Sequence, residues 1–384
     1  MASIARAEAR EDHLPEVMRL FTKLGFIGFG GPAAHIAMMR DEVVVRRKWL
    51  GEQEFLDLLG AASLIPGPSS TELSMYLGLR RAGWRGLIAA GVCFISPAML
   101  IVLGIAWLYV AYGRTPAGEN LLYGIKPAVV AIIIQALWGL GKTAVKGKLF
   151  AVVGLAAAVL YVLGGNPLAL LAAGGLAIML VRNWRSLGSK APLVVFGLPP
   201  LYAAGDAIQG SADLTKLFLI FLKLGCIVFG SGYVLLAFLR GDLVAGQHWL
   251  TDQQLLDAVA VGQFTPGPVF TTATFIGYVV AGVPGALLAT LGIFLPGFVL
   301  IPAIDRAIAK VKTSPWAGAF LDGINVAALG VMAGVTYQLG RAAVTDPLTV
   351  GILVLAILAV FRWKLNAAWL VLGGGVVGLA RLLV

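Results

Sequence analysis

The sequence predicts an all-α polytopic membrane protein with two inverted-topology repeats, each of about five transmembrane helices plus a Pro-Gly-Pro broken or re-entrant helical hairpin. Three observations predict this class. The 384 residues are 59% hydrophobic and 12% charged, whereas soluble domains are roughly a quarter charged. Charge-free runs at 87–112, 149–181 and 283–304 reach the ~20 residues that a spanning helix needs. An internal repeat, at an offset of about 200 residues, is the third.

The repeat is defined by matched stretches at that offset. K-L-G-F-I-G-F-G-G, which begins at Lys23, recurs as K-L-G-C-I-V-F-G-S at Lys223, and L-I-P-G-P-S-S-T recurs as F-T-P-G-P-V-F-T. Fixed-offset self-similarity of this kind indicates duplication. The predicted organisation is a lead at 1–14, a first repeat at 15–183, a linker at 184–212 and a second repeat at 213–384.

Apolar runs and Gly or Pro breakers predict the elements of each repeat. The first repeat should contain a helix, a hairpin and four further helices, at 15–45, 53–81, 84–112, 118–142, 147–163 and 167–183. The second repeat should follow the same order at 213–242, 252–281, 283–308, 316–340, 347–362 and 366–383. If each hairpin instead crosses the membrane as one broken helix, part of 191–205 must also cross.

Basic residues predict that the repeats have opposite orientations. Arg80, Arg81 and Arg85 precede the 84–112 helix, whereas the corresponding loop of the second repeat, V-V-A-G-V-P-G, has no charge and basic residues follow its helix instead. Because basic loops stay in the cytoplasm, equivalent loops should lie on opposite faces. That pattern is typical of transporters.

The Pro-Gly-Pro tips are the first candidate site. Irregular backbone inside a membrane requires burial in protein or a water-filled cavity, and a helix that starts after Pro68 or Pro268 presents free N–H groups that attract anions. Hydroxyl side chains at these starts either cap their own helices or contact the anion. The candidate tip residues are Pro66, Gly67, Pro68, Ser69, Ser70, Thr71, Pro266, Gly267, Pro268, Thr271 and Thr272.

A second candidate feature is a break in the first span of each repeat. Gly30-Gly31-Pro32 should interrupt the helix, partly echoed by Gly230 and Ser231, although small residues also serve for helix packing. Lys23 and Lys223 lie seven residues before these breaks. A lysine inside a span lines a cavity or pairs with another group, unless it snorkels to the interface; their matched positions favour a shared anion site.

The acidic residues are few. Glu72 has no acidic counterpart at Thr272 and is either a proton-coupling carboxylate or a group that stabilises its helix start. Asp57 and Asp257 are expected to face the hairpin exterior or to pair with arginine. The dispersed histidines predict no metal site, and two cysteines in apolar stretches predict no disulfide. No cofactor and no nucleic-acid partner are expected.

The stretches F-G-G-P-A-A-H-I-A-M-M-R-D-E-V-V-V-R-R-K-W-L, L-I-P-G-P-S-S-T-E-L-S-M-Y-L-G and T-P-G-P-V-F-T-T-A-T-F-I-G-Y resemble the chromate ion transporter family in its long, two-domain form. The second copy reads F-G-S-G where the first reads F-G-G-P. The resemblance covers nearly the whole chain and marks Arg40 and Trp49 as motif positions besides the tips and the first break, and Arg240 and Trp249 repeat them.

The resemblance implies efflux of chromate from the cytoplasm across the inner membrane, and hence chromate resistance, by a multi-pass protein that is not an enzyme. Sulfate or another oxyanion stays open as substrate, because it would bind the same groups. An anion channel and an intramembrane enzyme using Ser69, Ser70 and Glu72 are the alternatives. The expected partners are the oxyanion and the lipid bilayer, and a homodimer is one arrangement that the sequence allows.

Overall fold

The computed structural model describes residues 13–63, 65–183, 213–228, 235–304 and 315–383, and every element within these ranges is helical. This confirms the all-α class. The predicted linker at 184–212 and most of the lead at 1–14 lie outside the described residues, as do Gly230 and Ser231.

The first repeat contains seven helices among its described residues. They are α1 (Leu14–Ile27), α2 (Gly31–Arg40), α3 (Glu52–Ala62), α4 (Ser69–Tyr112), α5 (Pro116–Ala144), α6 (Lys148–Val162) and α7 (Pro167–Asn183), with a π-helical turn at Asp41–Arg46 after α2. The break predicted in the first span is present: α1 ends at Ile27, and Gly30 and Gly31 have φ of 104° and 75°, which favour glycine.

The second repeat has the same order of elements. It contains α8 (Leu214–Ile227), α9 (Leu235–Leu239), α10 (Asp252–Phe264), α11 (Thr272–Ile304), α12 (Pro315–Ala343), α13 (Pro347–Trp363) and α14 (Ala367–Ala380), with a π-helical turn at Arg240–Gly246 and 3₁₀ turns at Val269–Thr271 and Arg381–Leu383. Each helix therefore has a counterpart close to 200 residues away.

A chain reversal separates each hairpin from the long helix that follows. Gly83 has φ 64° and ψ −148°, and Gly282 has φ 63° and ψ −153°, a combination that only glycine adopts without large strain. Gly78 then packs directly on the backbone of Gly86, so the start of α4 folds back on the rest of the helix. The predicted boundary between 53–81 and 84–112 is therefore observed.

Within the described residues, four helices are long and apolar enough to cross a bilayer: Ser69–Tyr112, Pro116–Ala144, Val269–Ala303 and Trp316–Ala343. α6, α7, α13 and α14 are shorter apolar helices. Long apolar helices in both repeats make the chain a multi-pass membrane protein.

The two repeats interlock through α5 and α12. α5 packs on α13 and α14 of the second repeat, and its counterpart α12 packs on α6 and α7 of the first. Gly124 meets Gly374 at one crossing and Gly174 meets Gly323 at the other, in each case backbone against backbone. Small residues at such crossings let membrane helices approach closely. The contacts are reciprocal, as in a two-fold related pair.

Two hydrogen bonds fix the relative direction of α5 and α12. The Tyr123 hydroxyl near the start of α5 donates to Asp346 just after α12 at 2.6 Å, and Lys146 just after α5 donates to Asp322 near the start of α12 at 2.6 Å. Start meets end at both places, so these equivalent helices run in opposite directions. This arrangement agrees with inverted repeats.

We expect Gly124→Val to destabilise the protein. A side chain there would press on the carbonyl oxygen of Gly374, and overpacking of this kind costs about 1–3 kcal/mol. Thermal unfolding of the purified protein in detergent should therefore show a lower Tm. Gly139→Val in the same helix is the control, because no atom lies within 4 Å of its added Cβ; equal Tm values for the two variants would contradict the tight crossing.

Candidate functional site

The two Pro-Gly-Pro tips are built alike. Gly67 and Gly267 have φ of 134° and 84°, which places them in the region that favours glycine. Pro68 and Pro268 lie just before the first helical residue, so α4 begins at Ser69 and the 3₁₀ turn at Val269. The prediction that helices start directly after the prolines is confirmed. The tips therefore direct two helix starts toward the interior.

Each tip is hydrogen bonded to the helix break of the other repeat. The N–H of Gly67 donates to the carbonyl of Val228 at 2.7 Å, and the N–H of Gly267 donates to the carbonyl of Gly28 at 2.8 Å. Gly28 and Val228 directly follow α1 and α8. The structure thus places each tip against the residue that ends the first helix of the opposite repeat, while the predicted break residues Gly230 and Ser231 lie outside the described ranges.

His35 joins this region, although the sequence had not indicated it. Its Nε2 lies 2.8 Å from the carbonyl oxygen of Gly28 and its Nδ1 lies 3.3 Å from the hydroxyl of Ser70. Because a carbonyl only accepts, Nε2 carries the proton in the neutral ring and Nδ1 accepts from Ser70. A lone histidine with Leu235 at its repeat position gives no sequence signal; only the fold reveals it.

The hydroxyls at the two tips differ in what they bond. Thr271 and Thr272 donate to the carbonyls of Pro268 and Val269, each at 2.8 Å, so their protons serve their own helix start. Thr71 is fully buried, and within the described ranges its hydroxyl has no hydrogen-bond partner. The hydroxyl that stays available for a ligand therefore belongs to the first repeat.

Glu72 is buried beside the first tip. Its side chain is 1% exposed, and neither carboxylate oxygen has a hydrogen-bond partner within the part of the chain that the structure describes. One oxygen lies directly against Gly67, and the Cγ of the side chain lies close to Gly297. Buried polar groups are normally hydrogen bonded, so the unsatisfied carboxylate of Glu72 points to a functional role. The equivalent position of the second repeat holds Thr272, so that role is confined to the first repeat.

Lys23 and Lys223 are ion paired. Lys23 donates to Glu42 at 2.7 Å, and Glu42 also contacts Arg47, whereas Lys223 lies 2.6 Å from Asp242. The lysine charges are therefore balanced by carboxylates. Lys23, whose side chain is 47% exposed, borders a cleft of about 410 Å³ that is also lined by Leu24, Ile27, Ala37, Met38, Asp41, Glu42 and Arg46.

The motif arginines anchor the hairpins. Arg40 binds Glu52 at the start of α3 through two hydrogen bonds of 2.7 and 2.8 Å, and Arg240 binds Asp252 at the start of α10 through two of 2.7 and 3.0 Å. Bidentate pairs of this type fix orientation. Trp49 donates to Glu16 at 2.9 Å, and Trp249 packs against the core. These contacts agree with structural roles.

Asp257 corrects an expectation from the sequence. Its side chain is 3% exposed, accepts from the Tyr109 hydroxyl at 2.9 Å and lies 3.6 Å from Lys126. The expectation of an outward position or an arginine partner is therefore wrong, because α10 packs against α5 and places the carboxylate inside the protein. Lys126 itself was not singled out, since it aligns with Asn325 and has no basic counterpart.

Comparison with known proteins places this architecture in a family. The chromate transporter family model matches twice, over residues 15–179 and 215–379. The chain belongs to the chromate transporter family. No solved structure matches the chain.

Three relatives match this chain over almost the full length of both proteins. A probable chromate transport protein of Synechococcus elongatus is 35% identical over 92% of this chain and 91% of its own length. Chromate transport proteins of Cupriavidus metallidurans and Pseudomonas aeruginosa are 34% and 32% identical over 95% of this chain, and over 92% and 91% of their own lengths. The resemblance found in the sequence is thereby confirmed.

Proposed function

We propose that this chain is a secondary transporter that exports chromate from the cytoplasm across the inner membrane and so confers chromate resistance. The observation that carries the proposal is the pair of tips, in which Gly67 and Gly267 each bond the helix break of the opposite repeat. Helix starts held at a repeat interface present N–H groups to an anion. Chromate is chosen as the substrate because relatives are named chromate transport proteins.

The antiparallel pair α5 and α12 supports alternating access. A two-fold relation between antiparallel helices has its axis perpendicular to them, and for membrane-spanning helices that axis lies in the plane of the bilayer. Inverted repeats of this kind bind substrate near the midplane and expose it by rocking one repeat against the other. The tips are the part of this fold where such a site would be shared.

The membrane potential is sufficient to drive export of a dianion. Each elementary charge gains about 2.3 kcal/mol per 100 mV, so two negative charges that leave a negative cytoplasm gain roughly 4.6 kcal/mol. At about 1.4 kcal/mol per decade, this supports a gradient of roughly three decades. Proton coupling is an additional mechanism for which Glu72 is our candidate, because it is buried and unsatisfied beside the tip.

The proposal is tested by uptake of radiolabelled chromate into everted membrane vesicles, whose interior corresponds to the cell exterior. With an interior-positive potential and no pH gradient, we expect saturable accumulation that an ionophore abolishes. Vesicles without the protein are the control. Absence of chromate accumulation under this potential would refute potential-driven export, and uptake that rises linearly with concentration would favour a channel.

Sulfate is the informative competitor, since it is also a tetrahedral dianion. We expect excess sulfate to reduce chromate uptake, because backbone N–H groups and hydroxyls recognise either anion. Accumulation of labelled sulfate in preference to chromate would assign the transporter to sulfate.

A further inference from the structure

Three polar side chains meet inside the protein apart from the tips. Lys126 from α5 and Tyr109 from α4 belong to the first repeat, and Asp257 from α10 belongs to the second. The Tyr109 hydroxyl donates to Oδ2 of Asp257 at 2.9 Å, while Nζ of Lys126 lies 3.6 Å from Oδ1 of the same carboxylate. An ionisable cluster within helices of this type marks a functional site unless it is fully satisfied.

The cluster is incompletely satisfied. A separation of 3.6 Å exceeds the distance of about 3.2 Å within which N–H groups donate well, and Oδ1 of Asp257 has no hydrogen-bond partner within the described ranges. Lys23 and Lys223, by contrast, approach their carboxylates to 2.7 and 2.6 Å. Of these three lysines, Lys126 is the one whose ammonium lies farthest from its carboxylate.

The position of the cluster suits a ligand that passes between the repeats. The ring of Tyr109 packs at 5.0 Å from the ring of Phe275, which lies within one turn of Thr272 at the start of α11. Asp257 lies on α10, the helix that leads to the second tip. The Lys126 side chain is 17% exposed and therefore not fully enclosed, and both repeats contribute to the place it occupies.

We propose that Lys126 is a cationic ligand for the transported oxyanion, and that Asp257 is the built-in anion that the oxyanion displaces from it. The inference rests on the proposed function. A tetrahedral dianion accepts hydrogen bonds from the Lys126 ammonium. When the dianion displaces Asp257, the carboxylate keeps its hydrogen bond from Tyr109. The competition explains why the ion pair between Lys126 and Asp257 is loose, because a tight pair would prevent the lysine from binding the substrate.

The test measures equilibrium binding of radiolabelled chromate to the purified full-length protein in nanodiscs. Lys126→Gln should weaken binding at least about tenfold, the size of one lost charge-assisted bond, and Lys126→Arg should retain part of it. Asp257→Asn should tighten binding several-fold because the competing charge is removed. Lys142→Gln, an exposed lysine at the end of the same helix, is the control and should bind as the native protein does.

The double variant Lys126→Gln with Asp257→Asn separates binding from a structural ion pair. Removal of both charges leaves no unpaired charge, so a purely structural pair predicts that native binding returns, which would overturn the inference. Our expectation is a folded, monodisperse double variant that still binds weakly. Native-like binding by Lys126→Gln would also overturn the inference while leaving the transporter intact, whereas a native protein that binds neither chromate nor sulfate would remove the proposed function itself.

Discussion

Gly67→Ala is expected to reduce chromate uptake about tenfold or more. The residue has φ of 134°, and a side chain in such a region costs about 1–3 kcal/mol, which corresponds to roughly one or two decades in an equilibrium. The added methyl group would also press on the carboxylate of Glu72. Relief of the backbone strain requires the tip to shift, and its N–H is bonded to the carbonyl of Val228.

The measurement is potential-driven uptake in everted vesicles at equal protein abundance. Gly104→Ala is the matched control, since Gly104 lies in the helix that follows the tip and no atom lies within 4 Å of its added Cβ. The control should transport as the native protein does. Native uptake by Gly67→Ala would show that the tip geometry is dispensable for transport.

Glu72→Gln is expected to remove the response of transport to a pH gradient while leaving potential-driven transport in place. Glutamine keeps the size of the side chain and cannot exchange a proton. For each proton coupled to the oxyanion, one pH unit changes the attainable gradient about tenfold, because it is worth 1.36 kcal/mol. The neutral variant should therefore lose that factor at every imposed pH difference.

The experiment imposes a pH gradient at a clamped membrane potential and compares accumulated chromate. Glu54→Gln, an exposed acid in α3 of the same hairpin, controls for the loss of one carboxylate and should respond as the native protein does. If the native protein ignores the pH gradient, Glu72 carries no coupled proton. If Glu72→Gln still responds, another group carries it, and His35 beside Ser70 is the next one to substitute.

The sequence predicted the backbone of this fold better than its polar contacts. Glycine and proline fix backbone geometry locally, and so the break at Gly30, the tips at Gly67 and Gly267 and the reversal at Gly83 follow from a few adjacent residues. Because the sequence contains the repeat twice, each helix boundary was predicted from two separate stretches. Helix ends differ from the predictions by a few residues, and the π-helical turn that follows the predicted break in the first span was not predicted.

Charge pairing was harder to predict because it depends on contacts between distant parts of the chain. Lys23 and Lys223 occupy matched positions, and Glu42 and Asp242 are matched at the same offset. That second match is the signal of a repeated ion pair. Lys126 had no counterpart and gave no such signal. Matched positions therefore indicate repeated structural contacts, whereas Glu72 and Lys126 lie where the repeats differ, opposite Thr272 and Asn325.

The packing of α5 and α12 on helices of the opposite repeat also governs how the protein can be assembled. The bond between Tyr123 and Asp346 joins residues 223 positions apart, and the surfaces of α6 and α7 are covered by a helix that is synthesised much later. During translation the polar and small-residue faces of α5, α6 and α7 therefore stay uncovered in the bilayer until the second half is made. Formation of such long-range contacts is slow, and the contacts of α6 and α7 with α12 form only after the second half has entered the bilayer.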